Sequence, residues 1–377
     1  MKTLLASPHM SEEGYEKEYV KYAFDTNWIA PLGENVTQFE NAVANFYDGQ
    51  IYPVALSSGT GAIHLALKSI GVEKGDIVFC QSLTFSGSAN PISYVGATPV
   101  FIDSEECSGN MSPVALKKAY EKYPNPKAII IVDLYGVPAN FDELLPIAKL
   151  HNTPVIEDSA EAFGSSYKGK KCGLFGNVGI LSFNGNKIIT TSGGGMLLAH
   201  SKEIQEKVVF WSTQSREKCV WYEHKEIGYN YRLSNVLAGI GRGQMKVLDK
   251  RIEKKRAINS IYRQVFADCK HIKPFGYQDG SEPNRWLSVI KLIDTSITPM
   301  DVVNMLKKSD IDSRPAWKPM HLQPVFKDCD FFSTKEEGSV SGEIFDTCVC
   351  IPSDTKTSLE EIRQIAELLR NFVENNK

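Results

Sequence analysis

Lys187 stands in Ile180-Leu181-Ser182-Phe183-Asn184-Gly185-Asn186-Lys187, between an apolar, strand-like run and the small-residue tract Thr190-Thr191-Ser192-Gly193-Gly194-Gly195-Met196. Upstream, Thr153-Pro154-Val155-Ile156-Glu157-Asp158 sets a carboxylate at the end of a second buried run. An amine, an acid at a strand end and a glycine-rich tract are the parts that Schiff-base chemistry with pyridoxal 5'-phosphate requires. The amine holds the aldehyde, and the acid keeps the pyridine nitrogen protonated so that the ring withdraws electrons. Alone, a lysine after a strand is a solvated surface group. The combination is what points to catalysis.

Four further stretches could complete such a site. Ser57-Ser58-Gly59-Thr60-Gly61-Ala62 joins a strand to a helix, and its small residues allow helix N-terminal amides to approach a phosphate. A plain tight turn is the other reading. A P-loop would need Gly-Lys-Ser/Thr, and a dinucleotide fingerprint would need glycine where His64 stands. Thr84-Phe85 follows a strand at the edge where ligands of open sheets sit, so Phe85 is a candidate to stack on a planar group or else is plain core. Glu161 lies three residues after Asp158, on the same face if the chain turns helical, and an ordinary capping pair is the alternative. Gly228–Asn235 is polar and aromatic just before a long helix, a loop with a helix cap on the plain reading. The proline-punctuated Arg314–Pro324, with cations and aromatics close together, suits an anionic substrate or simply connects elements. The seven histidines are scattered, and no metal site is expected.

The chain has 377 residues, 42% hydrophobic and 23% charged, with net charge -3. That composition fits a globular protein with one large and one smaller domain, and it offers no basic field for nucleic acid. Eight dispersed cysteines without a CxxC pair read as reduced thiols. The N-terminal apolar stretch is too short for a signal peptide, and the longest apolar runs are strand-sized. A soluble, cytoplasmic protein without membrane insertion is expected.

The elements that must position these residues follow from hydrophobic patterning. Strands are expected at Pro53–Leu56, Ile77–Cys80, Pro99–Asp103, Ala128–Asp133, Val155–Asp158, Gly179–Phe183 and Gly195–Ala199. Most are uniformly apolar, which suits a parallel sheet covered on both faces. Helices alternate with them; Ile63, Ala66, Leu67 and Ile70 form one apolar stripe. Long charged helix is expected over Val236–Lys250 and on through Arg251–Arg256, with the basic cluster as its solvated face. Beyond it lie strands Leu287–Leu292 and Cys348–Ile351 and helices Pro299–Lys308 and Ser358–Glu374, the last opening on a Ser358/Glu361 capping box. Domains of 1–250 and 251–377 are expected.

Taken in order, these pieces resemble the DegT/StrS class of nucleotide-sugar aminotransferases. The resemblance rests on Asn27–Gly33, Leu56–Thr60, Thr84-Phe85, Gly96–Asp103, Asp133–Gly136, Glu157–Ala162, Ser182–Lys187 and Gly228–Arg232. It runs almost end to end and is nearest to transaminases that make UDP-4-amino-4,6-dideoxy-N-acetylglucosamine in bacillosamine-type pathways. The resemblance implies fold-type I: a three-layer α/β/α large domain with a mainly parallel seven-stranded sheet, plus a smaller C-terminal α+β domain. It implies that Lys187 binds the cofactor and shuttles the proton while Asp158 holds the pyridinium. Phe85 would cover the ring and Glu161 would contact its oxygen side. Gly59, Thr60 and Ser182 would hold the phosphate, with Asn230 reaching over from a neighbouring subunit of a homodimer. Asn27, Trp28, Ile29, Ala30 and Ser58, with Lys318, His321, Leu322, Gln323 and Pro324, would line the sugar-nucleotide pocket. Pyridoxamine phosphate would be the alternate cofactor form and L-glutamate the donor. Dehydratase relatives carry histidine in place of the lysine, so the intact Lys187 argues for amine transfer. Glutamine is also common in the class where Glu161 stands. A GDP-linked 4-keto-6-deoxymannose is the alternative acceptor. A non-catalytic sugar-nucleotide binder on the same fold is the reading from another class, and it would have no use for Lys187 and Asp158.

Overall fold

The computed structural model describes residues 2–376. Two helices, α1 (Tyr15–Asp25) and α2 (Glu34–Phe46), lead into an alternating series. That series runs β1 (Tyr52–Leu56), α3 (Gly59–Ile70), β2 (Ile77–Gln81), α4 (Ser86–Tyr94), β3 (Thr98–Ile102), α5 (Pro113–Lys122), β4 (Ala128–Val132), α6 (Phe141–Leu150) and β5 (Val155–Asp158). A small hairpin, β6 (Ser166–Tyr167) and β7 (Lys170–Lys171), precedes β8 (Val178–Ser182), β9 (Gly195–Ala199) and α7 (Lys202–Ser212). Helices α8 (Asn235–Met245) and α9 (Leu248–Val265) lead to β10 (Ile272–Phe275), β11 (Ser281–Glu282), β12 (Ser288–Leu292), α10 (Pro299–Lys308) and β13 (Arg314–Pro315). The chain closes with β14 (Phe331–Phe332), α11 (Val340–Thr347), β15 (Cys348–Ile351) and α12 (Leu359–Asn375).

The main sheet has the order β1-β9-β8-β5-β4-β2-β3-β14. Only β9 runs against the others, pairing antiparallel with β1 and β8. Side chains alternate between two buried faces. Ala128, Ile130 and Val132 of β4 join one core with the α3 residues Ile63 and Leu67, while Ile129 and Ile131 join another with Leu144 of α6. Burial on both faces explains why these strands read as unbroken apolar runs. All seven expected strands are present. The eighth, β14, pairs parallel with β3 and comes from the C-terminal third of the chain. At two residues it is too short for any periodicity to announce.

A four-stranded antiparallel sheet, β10-β12-β15-β13, packs on α9, α10 and α12. Helix α12 has Ser358 as its N-cap in a capping box with Glu361, and it buries Ile362, Ile365, Ala366 and Leu369. Residues at the N-terminus belong with this sheet: Thr3 bridges Ile311, and the Ser353 amide donates to the Leu5 carbonyl at 2.7 Å. The expected long helix after residue 235 is two helices, broken at Lys246-Val247. Its basic face is also not wholly solvated, because Lys255 is only 4% exposed. This corrects the sequence-based expectation: helix periodicity puts Lys255 on the same face as Ile252 and Ile258, which are buried.

Gly195 shows how tightly the sheet meets α3. A Cβ there would lie 2.3 Å from the Gly59 nitrogen and from the Ser58 carbonyl carbon. Gly195→Ala is therefore expected to lose ~1–3 kcal/mol or more in urea unfolding, the usual range for overpacking. Gly185→Ala, whose Cβ would meet nothing within 4 Å, should stay within about 0.5 kcal/mol.

Candidate active site

Parallel strands end their carboxyl edges together, and here β2, β4, β5 and β8 end around one cavity of about 500 Å³. Arg314 and Cys350 of the small sheet, Trp286 and Leu287 just before β12, and Leu5 and Ala6 close the other side. Lys187, Asp158, Glu161, Ser182, Ser58, Gly59, Thr60 and Phe85, all candidates from the sequence, line it together.

Each of these groups is held by its own element. Asp158 ends β5, and its Oδ2 accepts from the Ser88 hydroxyl at 2.6 Å, which itself lies 2.7 Å from the Thr84 hydroxyl. Its Oδ1 accepts from the Ala160 amide at 3.2 Å, so a turn rather than a helix carries the chain on to Glu161. Glu161 Oε1 accepts from Lys187 Nζ at 3.3 Å, and Oε2 accepts from the Tyr135 amide at 2.6 Å. Tyr135 delivers that amide from a left-handed backbone, φ 54°. Such a conformation strains a bulky residue, and it persists where its surroundings over-determine it. Tyr135 is buried, and its hydroxyl accepts from the Trp317 amide at 3.0 Å.

Burial pushes the Asp158 carboxyl up from the ordinary range, opposed by the Ser88 hydroxyl, the Ala160 amide and the Lys187 charge. Glu161 is raised for the same reason, and Lys187 and the Tyr135 amide oppose the rise. Arg314 is paired with Asp312, so two buried acids share one lysine and leave the cavity in want of another cation. A protonated ring nitrogen beside Asp158 would supply it. At the cavity's other end Ser58 caps α3, accepting from the Gly61 amide at 2.9 Å, and the amides of Gly59 and Thr60 have no carbonyl within the helix to meet. The position of a Gly59 Cβ lies 3.2 Å from Ser182 Cβ, so any side chain there would fill the cup. An anion cup, an acid and an amine around one cavity fit pyridoxal 5'-phosphate.

Sequence reasoning missed Trp286, since nothing in its local pattern sets it apart from a buried aromatic. Lys187 Nζ lies 4.2 Å from the centre of its ring. Trp286 is held by three bonds: the indole Nε1 donates to the Asn186 carbonyl at 2.7 Å, the backbone amide donates to Asn284 Oδ1 at 2.8 Å, and the backbone carbonyl accepts from Lys255 Nζ at 2.9 Å. Asn284 also donates to the Glu161 carbonyl at 2.8 Å, which ties the brace to the acid.

Other expected residues lie outside the cavity of their own chain. Asn230 lines a separate recess with Pro31, Leu32 and Arg232. Trp28 and Ile29 are exposed, Ala30 and Asn27 sit beside them at the surface, and the Trp28 carbonyl accepts from Asn235 Nδ2 at 2.7 Å. His321 Nδ1 lies 2.7 Å from the Ser82 hydroxyl, and its ring stacks on Phe331 at 3.6 Å. Gln323 donates to the Lys318 carbonyl, and Leu322 and Pro324 are exposed. From this late loop region the cavity receives Arg314 and Trp317 instead.

The brace has a measurable signature. Burial pulls the Lys255 ammonium down to about 7. Between that value and an unfolded pKa of ~10.4 the unfolded chain binds the extra proton, so this lysine makes stability rise with pH across the window and lowers it as pH falls. Lys255→Met removes the titration. The stability of the natural protein relative to this variant should improve by on the order of 3–5 kcal/mol between pH 7 and 10.5, as read by denaturant unfolding.

Comparison with known proteins bears directly on this geometry. Residues 10–370 match the model of the DegT/DnrJ/EryC1/StrS aminotransferase family. The candidate pyridoxal phosphate-dependent aminotransferase EpsN of Bacillus subtilis (strain 168) is 46% identical over 372 residues, covering 98% of this chain and 95% of that one. GDP-perosamine synthase of Escherichia coli O157:H7 is 34% identical over 95% of this chain and 96% of its own. UDP-4-amino-4,6-dideoxy-N-acetyl-beta-L-altrosamine transaminase of Campylobacter jejuni is 34% identical over 81% of this chain and 72% of its own. A DegT DnrJ EryC1 StrS aminotransferase from Brucella abortus superposes with a TM-score of 0.87 at 25% identity, over 96% of each chain. With Lys187, Asp158 and the α3 cup in one cavity, the chain belongs to the DegT/DnrJ/EryC1/StrS family of pyridoxal phosphate-dependent sugar aminotransferases, on fold-type I.

Proposed function

We propose that this enzyme moves the amino group of L-glutamate to C4 of a nucleotide-linked 4-keto-6-deoxy sugar. The proposed acceptor is UDP-2-acetamido-2,6-dideoxy-4-keto-glucose, in the synthesis of bacterial surface glycans or glycoprotein sugars. The observation that carries the reading is the single amine of Lys187, poised between Glu161 and the Trp286 ring in the cavity that also holds Asp158 and the anion cup. The 34% identity to UDP-4-amino-4,6-dideoxy-N-acetyl-beta-L-altrosamine transaminase over 81% of this chain supports a UDP-linked acceptor. The likeness to GDP-perosamine synthase over nearly the whole chain favours a GDP-linked 4-keto-6-deoxymannose as the second reading.

Bound in the cavity, pyridoxal 5'-phosphate supplies an electron-withdrawing ring joined to the carbon that loses or gains a proton. Asp158 would hold the proton on the ring nitrogen, and the Ser88 hydroxyl and Ala160 amide keep its carboxylate aimed. The amides of Gly59 and Thr60 and the Ser182 hydroxyl would hold the phosphate, and Phe85, 58% exposed at the cavity wall, would be free to stack on the ring. Lys187 Nζ would be the base that takes the donor's proton and gives it back. The same amine reverses the transfer for the keto sugar, so one base serves both half-reactions. Glu161 and Trp286 keep Nζ from swinging out of line. In this reading residues 1–250 hold the cofactor and 251–377 close the cavity, with the Thr3–Ser7 segment crossing between them.

Asn230, Trp28 and Ile29 lie outside their own chain's cavity, and apolar Leu32, Val220, Trp221 and Ile227 are exposed. These features support a homodimer in which Asn230 completes the neighbour's phosphate cup. The eight thiols, all free, suit the cytoplasm. Among the described residues no helix is long and apolar enough to cross a membrane.

Purified protein should absorb near ~410–430 nm through its lysine-bound cofactor, shift towards ~330 nm with L-glutamate, and recover with the correct keto sugar. UDP- and GDP-linked 4-keto sugars tested side by side, with products read by NMR, decide the acceptor; amine transfer to neither would sink the reading. Lys187→Ala should retain cofactor through the cup but lose at least ~10²–10⁴-fold in turnover. Near-normal turnover in that variant would remove Lys187 from the mechanism.

Assembly can be tested by complementation. Lys187→Ala and Asn230→Ala chains, each impaired alone, should regain activity when mixed and refolded, because one mixed site then carries both natural residues. No recovery on mixing, or full activity in a protein that sediments as a monomer at micromolar concentration, would overturn the shared site.

A further inference from the structure

Three arginines meet away from the active site. Arg256 and Arg263 lie two turns apart on α9, and Arg285 approaches from the loop before β12. With Asn259, Ser260 and Glu282 they line an open recess of about 350 Å³. Arg232, Arg314 and Arg370 each meet a carboxylate. Among the described residues, the three guanidinium groups of the recess meet none within ion-pair distance.

They are nonetheless held in place. Arg256 Nε donates to the Pro283 carbonyl at 2.9 Å and its Nη2 to the Glu282 carbonyl at 3.0 Å. Arg285 Nη1 donates to the Gly276 carbonyl at 2.5 Å, and Arg263 Nε donates to Asn259 Oδ1 at 2.9 Å. Neutral acceptors fix the forks without neutralising them. Arg263 Nη2 is buried and meets no acceptor. Burial and its two arginine neighbours bring Arg285 down to about 10, the mark of cations crowded together. The Glu282 carboxylate is the one acid on the rim, and it accepts from the Ser166 hydroxyl at 3.3 Å.

Holding cations together costs free energy that an anion would return. We propose that this recess is a second ligand site, which binds a phosphate or diphosphate group between Arg256, Arg263 and Arg285. The planar guanidinium fork matches phosphoryl oxygens in pairs, and the unpartnered Arg263 nitrogen is the donor left over for it. Among the described residues no aromatic side chain lines the recess to stack on a base. The site therefore recognises the phosphoryl group itself.

The test uses holoenzyme, so that the cofactor's own phosphate fills the cup at α3. Inorganic pyrophosphate and ADP are titrated separately by calorimetry at low ionic strength. Arg256→Gln and Arg263→Gln should each weaken pyrophosphate binding at least about tenfold, the loss of one charge-assisted contact, and leave amine transfer unchanged. Equal weakening for ADP assigns the site to phosphoryl groups from either source. Weakening for pyrophosphate alone restricts the site to the free anion. Soaking crystals with selenate should place its anomalous signal within hydrogen-bond distance of Arg263 and Arg285. Unchanged pyrophosphate affinity in both variants, or an anomalous map without selenate between these arginines, overturns the proposal. Should Arg263→Gln fold poorly, Arg256→Gln on the outer turn decides alone.

Discussion

Charge buried at the carboxyl edge of one sheet is the constraint around which this molecule is arranged. Asp158 and Glu161 are each 4% exposed, and the Lys187 side chain is 11% exposed. Ionised groups so far from water are costly unless each is paired and hydrogen-bonded. The fold answers with a hydroxyl and an amide for Asp158 and an amide and an ammonium for Glu161. Tyr135 accepts a left-handed backbone to present that amide, and the Trp286 ring faces the ammonium. Packing that would otherwise only stabilise the chain here also aims the three groups.

A second pair of acids lies beneath the first, and it is structural. Glu157 accepts from the amides of Gly173, Phe175 and Gly176, which ties the loop before β8 to the end of β5. Ser159 Oγ lies 2.8 Å from Asp133 and 3.1 Å from Glu157, between the two. Burial raises both acids, and their mutual repulsion adds to the rise at Asp133. Asp133, Glu157 and Cys172 approach closely enough to hold an ion. The amides already occupying Glu157 explain their placement without one.

The cavity exists because distant segments converge on it. Leu5 and Ala6 reach it through a segment anchored at Asp312, Ser353 and Asp354. Arg251 secures the far end of that segment through the His9 carbonyl at 3.0 Å, and Lys255 on the next turn braces Trp286. Helix α9 thus touches the N-terminus, the active-site lysine's platform and the small sheet at once. Further along, the same helix carries Arg256 and Arg263, which turn outward. A helix whose sequence reads as plain solvated charge divides its cations between support and a separate recess.

The sequence alone determined what periodicity and local chemistry can encode. The seven long strands, the crossover helices, the α12 capping box, the cup at Ser58–Thr60 and the Lys187, Asp158 and Glu161 constellation were legible. In these, neighbours along the chain decide the outcome: unbroken apolar runs demand burial, and small residues at a helix start demand close approach. Tertiary structure alone decided the rest. Strand β14 has two residues and depends on β3 to form; Lys255 and Trp286 gain their parts from contacts 31 and 100 residues distant. It also placed Arg314 and Trp317 in the cavity and turned His321 towards Ser82. Within one proline-rich loop, local pattern says that polar and aromatic groups are close together. Which of them faces a ligand depends on the surface against which the loop packs, and that surface is made by residues far away in the chain.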